Sequence, residues 1–211
     1  MLYVVLSVNL AYLIGSINFA VIFSKLFIKE DIRNYGSGNA GATNVLRVGG
    51  PLPGILTFVF DAFKGFVACF TGKLLIEKLA EGTISPLVGA FICGLACMLG
   101  HVFPIFFRFK GGKGVATAVG IFSVCCPIAI ILGLICFALV MVLSRIVSLS
   151  SLLATVTVVV CTAIFHDSTV ALLPQILLSV AMGALVFIKH IDNIKRLAKG
   201  EEKKLNIGSK K

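Results

Sequence analysis

The chain has 211 residues, 58% of them hydrophobic and 13% charged, with a mean hydropathy of +1.06. That is too apolar for a soluble domain of this length, so the composition predicts an all-α integral membrane protein, with residues 1–211 forming a single membrane-embedded domain. The net charge of +10 comes from cations scattered among apolar runs, with no basic domain carrying aromatic platforms, which argues against a nucleic-acid partner.

In chain order, the first apolar run, Leu2 to Phe23, has no cation before it and no small-residue cleavage site. It reads as a retained first span with the N-terminus outside, because Lys25 and Lys29 follow it. Further spans are predicted over Pro53–Leu75 and Pro86–Phe107. The stretch from Val115 to Leu143 would be about 44 Å long as one straight helix, well beyond a ~30 Å hydrocarbon core. Pro127 divides it into a short crossing over Gly114–Cys126 and a full one. Spans over Leu149–Phe165 and Thr169–Ile188 complete a count of about seven. All seven cysteines fall inside apolar runs without CxxC spacing and read as small apolar fillers.

Charge distribution tests that count. Seven crossings with the N-terminus outside put the loops at 25–50, 108–114 and 144–148 and the tail from Lys189 on the cytoplasmic side. These segments hold sixteen of the nineteen Lys and Arg residues. One span over Val115–Leu143 would place the basic tail outside, against the positive-inside rule.

Those loops carry the polar motifs. In Gly36-Ser-Gly-Asn-Ala-Gly-Ala-Thr-Asn-Val-Leu-Arg47, glycines let successive N–H groups face an anion. Ser37, Asn39, Thr43 and Asn44 add donors, and Arg47 adds a planar fork suited to phosphate. No GK[ST] follows at Walker A spacing. The second motif, Gly100-His101 through Phe109-Lys-Gly-Gly-Lys-Gly-Val-Ala-Thr117, sets Lys110 and Lys113 among glycines at a helix N-terminus, where anions are favoured. Ser144-Arg145-Ile-Val-Ser148 forms a third cluster. A fourth, His190-Ile-Asp-Asn193-Ile-Lys-Arg196, places His190 and Asn193 on one helical side. Within the second span, Asp61 and Lys64 are spaced for an internal ion pair, serving either structure or a polar substrate cavity. No metal-ligand spacing and no GxSxG elbow occur, so neither metal nor cofactor is expected.

Together, GSGNAGATNVLR (36–47), GHVFPIFFRFKGGKGVAT (100–117) and HIDNIKRLAKGEEKK (190–204) resemble the three cytoplasmic motifs of the bacterial PlsY family of acyl-phosphate:glycerol-3-phosphate acyltransferases. The resemblance extends to Asp61-x-x-Lys64-Gly65 and Ser144-Arg-x-x-Ser148 and covers almost the whole chain. It implies a bacterial cytoplasmic-membrane enzyme with its active site on the cytoplasmic face, catalysing the first acylation of phospholipid biosynthesis. A fatty acyl group would pass from acyl phosphate to the 1-hydroxyl of sn-glycerol 3-phosphate, giving lysophosphatidic acid and inorganic phosphate, with membrane lipid as the surrounding medium. The His-x4-Asp dyad of other glycerolipid acyltransferases is missing, since Phe106, Ala171 and Lys195 stand five residues after the three histidines.

By the same resemblance Ser37, Arg47, Lys110, Ser148, His190 and Asn193 would contact the polar groups of the two substrates, with Asn39, Asn44 and Lys113 next in line. The catalytic set would be His190, Asn193, Lys110 and Arg47. Acyl phosphate is already activated, so direct attack by the glycerol hydroxyl is expected, with His190 or a substrate phosphate oxygen as base. Two rival readings, a transporter for a phosphorylated solute and a noncatalytic membrane subunit, suit the intramembrane charges and the apolar spans respectively. The first lacks an internal repeat, and the second leaves the anion-binding loops unexplained.

Overall fold

The computed structural model describes residues 1–205, which are helical with no strand among them. The helices are α1 (Leu2–Gly15), α2 (Phe19–Phe27), α3 (Ala42–Gly49), α4 (Pro51–Leu79), α5 (Pro86–Val102), α6 (Val115–Cys125), α7 (Pro127–Ser144), α8 (Val147–Ile164), α9 (Leu172–Lys189) and α10 (Ile191–Ala198). Six segments are long and apolar enough to cross a bilayer: Leu2–Phe27, Pro51–Leu79, Pro86–Phe107, Pro127–Ser144, Val147–Ile164 and Leu172–Lys189. The expected short crossing is α6, only 11 residues long, or about 16 Å at 1.5 Å per residue. It stops at Cys126 because Pro127 opens the next helix as its first residue.

The first span departs from expectation. In place of one helix over Leu2–Phe23, the chain breaks at Ser16–Asn18 and restarts as α2. Asn18 caps the new helix by accepting from the Val21 N–H at 3.2 Å. The break lies where α1 presses backbone to backbone on α5. A Cβ at Gly15 would collide with the Cys97 carbonyl, and one at Gly100 with the Tyr12 carbonyl. Residues 103–107, expected as the last turn of the third span, leave α5 after Val102 and form a short 3-10 turn at Ile105–Phe107.

The hydrophobic segments order themselves by burial. The Pro86–Phe107 segment has 61% of its most apolar window buried and lies at the centre, while Pro127–Ser144 has 17% buried and turns most of its surface outward. Outward apolar side chains such as Val142 and Leu143, 77% and 85% exposed, are the surface a bilayer covers. The main core joins Phe91 and Met98 of α5 to Ile121 and Phe122 of α6 and Met182 and Val186 of α9. All seven cysteines are free.

Candidate active site

The loops at 28–50, 103–114 and 145–148 and the segment after α9 meet at one end of the bundle. Arg33 donates to the Phe107 carbonyl at 2.9 Å, and Lys113 Nζ hydrogen-bonds to Asn193 Oδ1. The Leu205 N–H donates to the Arg145 carbonyl at 2.7 Å. Four non-glycine residues adopt left-handed φ near +58°, namely Lys29, Arg108, Phe109 and Arg145. All lie in these loops, a concentration of backbone strain typical of functional sites.

The first motif is shaped by Asn44. Its Nδ2 donates to the carbonyls of Ile32, Tyr35 and Asn39, while its Oδ1 accepts from the Ser37 N–H at 3.0 Å. Asn44 is therefore buried and fully engaged within its own loop, and Asn39 contributes its carbonyl to the same knot. Gly36, at φ +63°, lies so close to the Asn44 Oδ1 that a Cβ would collide with it. The Ser37 side chain remains exposed.

One turn after Asn44, Arg47 projects toward the tail and donates to the Lys203 carbonyl at 3.4 Å. Beside it is the densest polar cluster. The Glu202 carboxylate accepts from Ser148 Oγ at 2.8 Å and Asn193 Nδ2 at 2.6 Å through Oε1, and from Arg196 Nε at 2.6 Å through Oε2. Burial favours a protonated Glu202, but the donors Asn193, Ser148 and Arg196 outweigh it and hold its pKa below the usual value. Lys113 is lowered to about 8, chiefly by burial. Burial also lowers the Arg47 guanidinium, with Glu202 opposing the shift.

His190 caps the end of α9. Its Nδ1 lies 2.8 Å from the Val186 carbonyl; a carbonyl only accepts, so this nitrogen carries the proton and Nε2 keeps its lone pair. Burial, followed by the Lys113 charge, lowers its pKa to about 4, leaving a neutral imidazole at physiological pH.

The expected residues divide into three groups, of which Ser37, Asn39 and Asn44 stay within the first motif's own loop. Arg47, Lys113, Ser148, His190 and Asn193 converge around the Glu202 carboxylate. Lys110 instead borders a neighbouring polar cavity of about 420 Å³ with Asp31, Arg33, Gly38 and Arg108. Arg33 is tied there to Asp31 by an ion pair at 2.7 Å. Glu202 was missed by sequence reasoning, and Arg196 was read as part of the fourth cluster but not as a site residue. Their signal lay in a pair of acids within a tail rich in cations, and in the i, i+3 spacing of Asn193 and Arg196 on α10.

A third feature adjoins the cluster. An apolar slot of about 100 Å³ runs among α4, α6, α7, α8 and α9, bounded by Val115, Phe122, Ser151, Thr155, Gly183 and Val186. Val115 lies two residues from Lys113, Ser151 one helical turn beyond Ser148, and Val186 holds His190, so one end of the slot abuts the polar cluster. Ser151 and Thr155 direct their hydroxyls to their own helix backbone, leaving the slot without free donors.

This juxtaposition of anion-binding side chains and an apolar slot agrees with comparisons to known proteins. Residues 5–200 match the glycerol-3-phosphate acyltransferase family. Glycerol-3-phosphate acyltransferase 2 of Bacillus anthracis is 42% identical over 201 residues, covering 95% of this chain and 98% of that one. The glycerol-3-phosphate acyltransferase of Thermoanaerobacter sp. (strain X514) is 45% identical over 208 residues, covering 97% and 96%. Two crystal structures of the integral membrane enzyme PlsY superpose on the fold. Its glycerol 3-phosphate form gives a TM-score of 0.85 at 35% identity, covering 96% of each chain. Its lysophosphatidic acid form gives 0.82 at 34% identity, covering 97% and 96%. The chain is an integral membrane glycerol-3-phosphate acyltransferase of the PlsY family, as its motifs led one to expect.

Proposed function

We propose that the acyl donor is acyl phosphate and that transfer to the 1-hydroxyl of sn-glycerol 3-phosphate is direct, on the cytoplasmic face of the bacterial inner membrane. The observation that carries this reading is the surplus of cations around a single carboxylate, placed at the mouth of an apolar slot. Glu202 engages Arg196, Asn193 and Ser148, while among the described residues Arg47 and Lys113 hydrogen-bond to a carbonyl and an amide oxygen. Those two cations are the seat for the glycerol 3-phosphate phosphate. The acyl chain lies in the slot, with its phosphate toward the loops of Ser37, Lys110 and Lys113. Asn39 and Asn44 shape the first loop, and the donor reaches the slot from the surrounding lipid. The cations of the loops and of the described part of the tail at this end support its cytoplasmic orientation.

The glycerol 1-oxygen attacks the acyl carbonyl carbon. The new C–O ester bond forms as the carbonyl carbon separates from the phosphate oxygen, which leaves with the bonding pair. His190 Nε2 takes the hydroxyl proton, and the arriving phosphates raise its basicity. Lys110 and Lys113 stabilise the charge gathering on the departing phosphate, and Asn193 orients Lys113.

Purified protein in micelles, given acyl phosphate and labelled glycerol 3-phosphate, should release lysophosphatidate and phosphate one to one, and should give no lysophosphatidate with an acyl thioester. A stoichiometric acyl adduct on the protein after exposure to acyl phosphate alone would overturn direct transfer.

A further inference from the structure

Beneath the second motif lies a charged cluster that the reaction scheme leaves unused. Asp61 and Lys64 of α4 face His101 at the end of α5, all three at most 3% exposed. Lys64 Nζ lies 2.8 Å from Asp61 Oδ1 and donates to the Ile17 carbonyl at 2.6 Å, the carbonyl released where the first span breaks. His101 Nδ1 lies 3.5 Å from the same Asp61 oxygen. Beyond these contacts, Asp61 Oδ2, Asn18 Nδ2 and Thr117 Oγ1 find no hydrogen-bond partner among the described residues. A cluster built for stability alone would satisfy them.

Its outward contact is with the lysine loop. The Gly112 N–H donates to the His101 carbonyl at 3.1 Å. A Cβ at Gly112 would collide with His101 Nε2 and stand 2.6 Å from the Ala40 carbonyl of the first motif, and one at Gly111 would collide with the His101 carbonyl. The loop carrying Lys110 and Lys113 is thus moulded on the His101 ring, with the first motif on its other side.

We propose that Asp61, Lys64 and His101 form a positioning triad that sets the path of the Lys110–Lys113 loop, linking the break in the first span to both anion-binding loops. This rests on the reading of that loop as a phosphate-binding element. The triad touches no substrate; it acts through the backbone at Gly111 and Gly112. Replacing both members of a buried ion pair is far less disruptive than removing one, so the pair can be neutralised in a folded protein.

Two readouts test the triad in Asp61→Asn/Lys64→Met, with His101→Asn as the second variant, since it keeps a donor toward Asp61 and removes the ring edge against Gly112. The first is steady-state kinetics: the KM for glycerol 3-phosphate should rise roughly tenfold or more and kcat should fall with it, because the displaced loop carries Lys113 of the phosphate seat and the two lysines that face the departing phosphate. The second needs no turnover: the pH profile of Lys113 modification by an amine-reactive reagent, read by mass spectrometry. Its midpoint of about 8 in the parent should move toward the ordinary lysine range in both variants as the loop shifts outward. A folded variant with the parent KM and the parent Lys113 profile would overturn the triad's role. Shifted labelling in both variants of a parent that is inactive with acyl phosphate would retain the triad and remove the proposed donor.

Discussion

Two clusters of charge lie on either side of the lysine loop, and they differ in what they leave uncompensated. At the rim, Arg47, Lys113 and Arg196 surround one carboxylate, Glu202, and come from segments far apart in the chain. Beneath, Asp61, Lys64 and His101 close on one another within two helices, with the side chains of the first two 1% and 3% exposed. Surplus charge at a half-open rim suits a mobile anionic ligand, whereas balanced charge in a closed interior fixes backbone. The difference separates residues that bind from residues that hold the binders in place.

The largest effect expected is at the rim. Arg47→Ala should lower kcat/KM for glycerol 3-phosphate by about 100-fold or more. Its thermal unfolding in detergent should match the parent, because among the described residues Arg47 makes a single long hydrogen bond. Full activity would remove Arg47 from the site. Glu202→Gln sharpens the contrast from the other direction. Loss of the carboxylate weakens three charge-assisted contacts, and about 1–3 kcal/mol of stability should go with it, seen as a lower unfolding temperature. The folded-state pKa of Glu202 is depressed from 4.5. Its contribution is therefore complete above that value and disappears as pH falls through the depressed one, so the variant and the parent should converge in stability in acid. If Glu202→Gln were instead as stable as the parent and bound glycerol 3-phosphate more tightly, Glu202 would be a competitor for the seat and not a strut.

Lys113 supplies a third, smaller effect. With its pKa at about 8, the cation is lost as pH rises through that value, and kcat/KM for glycerol 3-phosphate should fall about tenfold between pH 8 and 9.5. Lys113→Arg keeps its charge throughout, so its profile should stay flat across that interval. A decline unchanged by the substitution would assign the alkaline limb to another group.

Much of this arrangement was legible in the sequence, for identifiable reasons. Membrane helices announce themselves by length and hydropathy, and Pro127 marked the division between α6 and α7 because proline cannot continue the preceding helix. Charge parity alone assigns the four polar clusters to one side of the membrane. The break at Ser16–Asn18 was not legible: Asn18 and Ser16 are tolerated within apolar spans, and the interruption coincides with close packing of α1 on α5 at Gly15 and Gly100, a contact between segments 85 residues apart. Asn44 read as a ligand donor because local sequence cannot show that its amide is consumed by Ile32, Tyr35 and Asn39. The Asp61–Lys64 pair was visible from spacing, but the addition of His101 required the crossing of α4 and α5. Glu202 was overlooked because its partners Ser148, Asn193 and Arg196 meet only after the tail has folded back across Arg145.

The smallest effect tests whether the apolar slot belongs to the rim's chemistry at all. Gly183 lines that slot, and a Cβ there would stand 3.0 Å from Val159 Cγ2 and 3.5 Å from Thr155 Cγ2. Gly183→Ala therefore narrows the slot by about one methyl group while leaving Arg47, Lys113, Glu202 and the triad untouched. A buried methylene contributes roughly 0.8 kcal/mol, so excluding one from the slot should change relative kcat/KM between acyl phosphates of neighbouring chain length by about fourfold, in favour of the shorter. The KM for glycerol 3-phosphate should stay at the parent value, since the phosphate seat lies outside the slot. A changed glycerol 3-phosphate KM with unaltered chain preference would place the acyl chain elsewhere, along one of the lipid-facing surfaces, and would leave the rim cluster without its apolar counterpart.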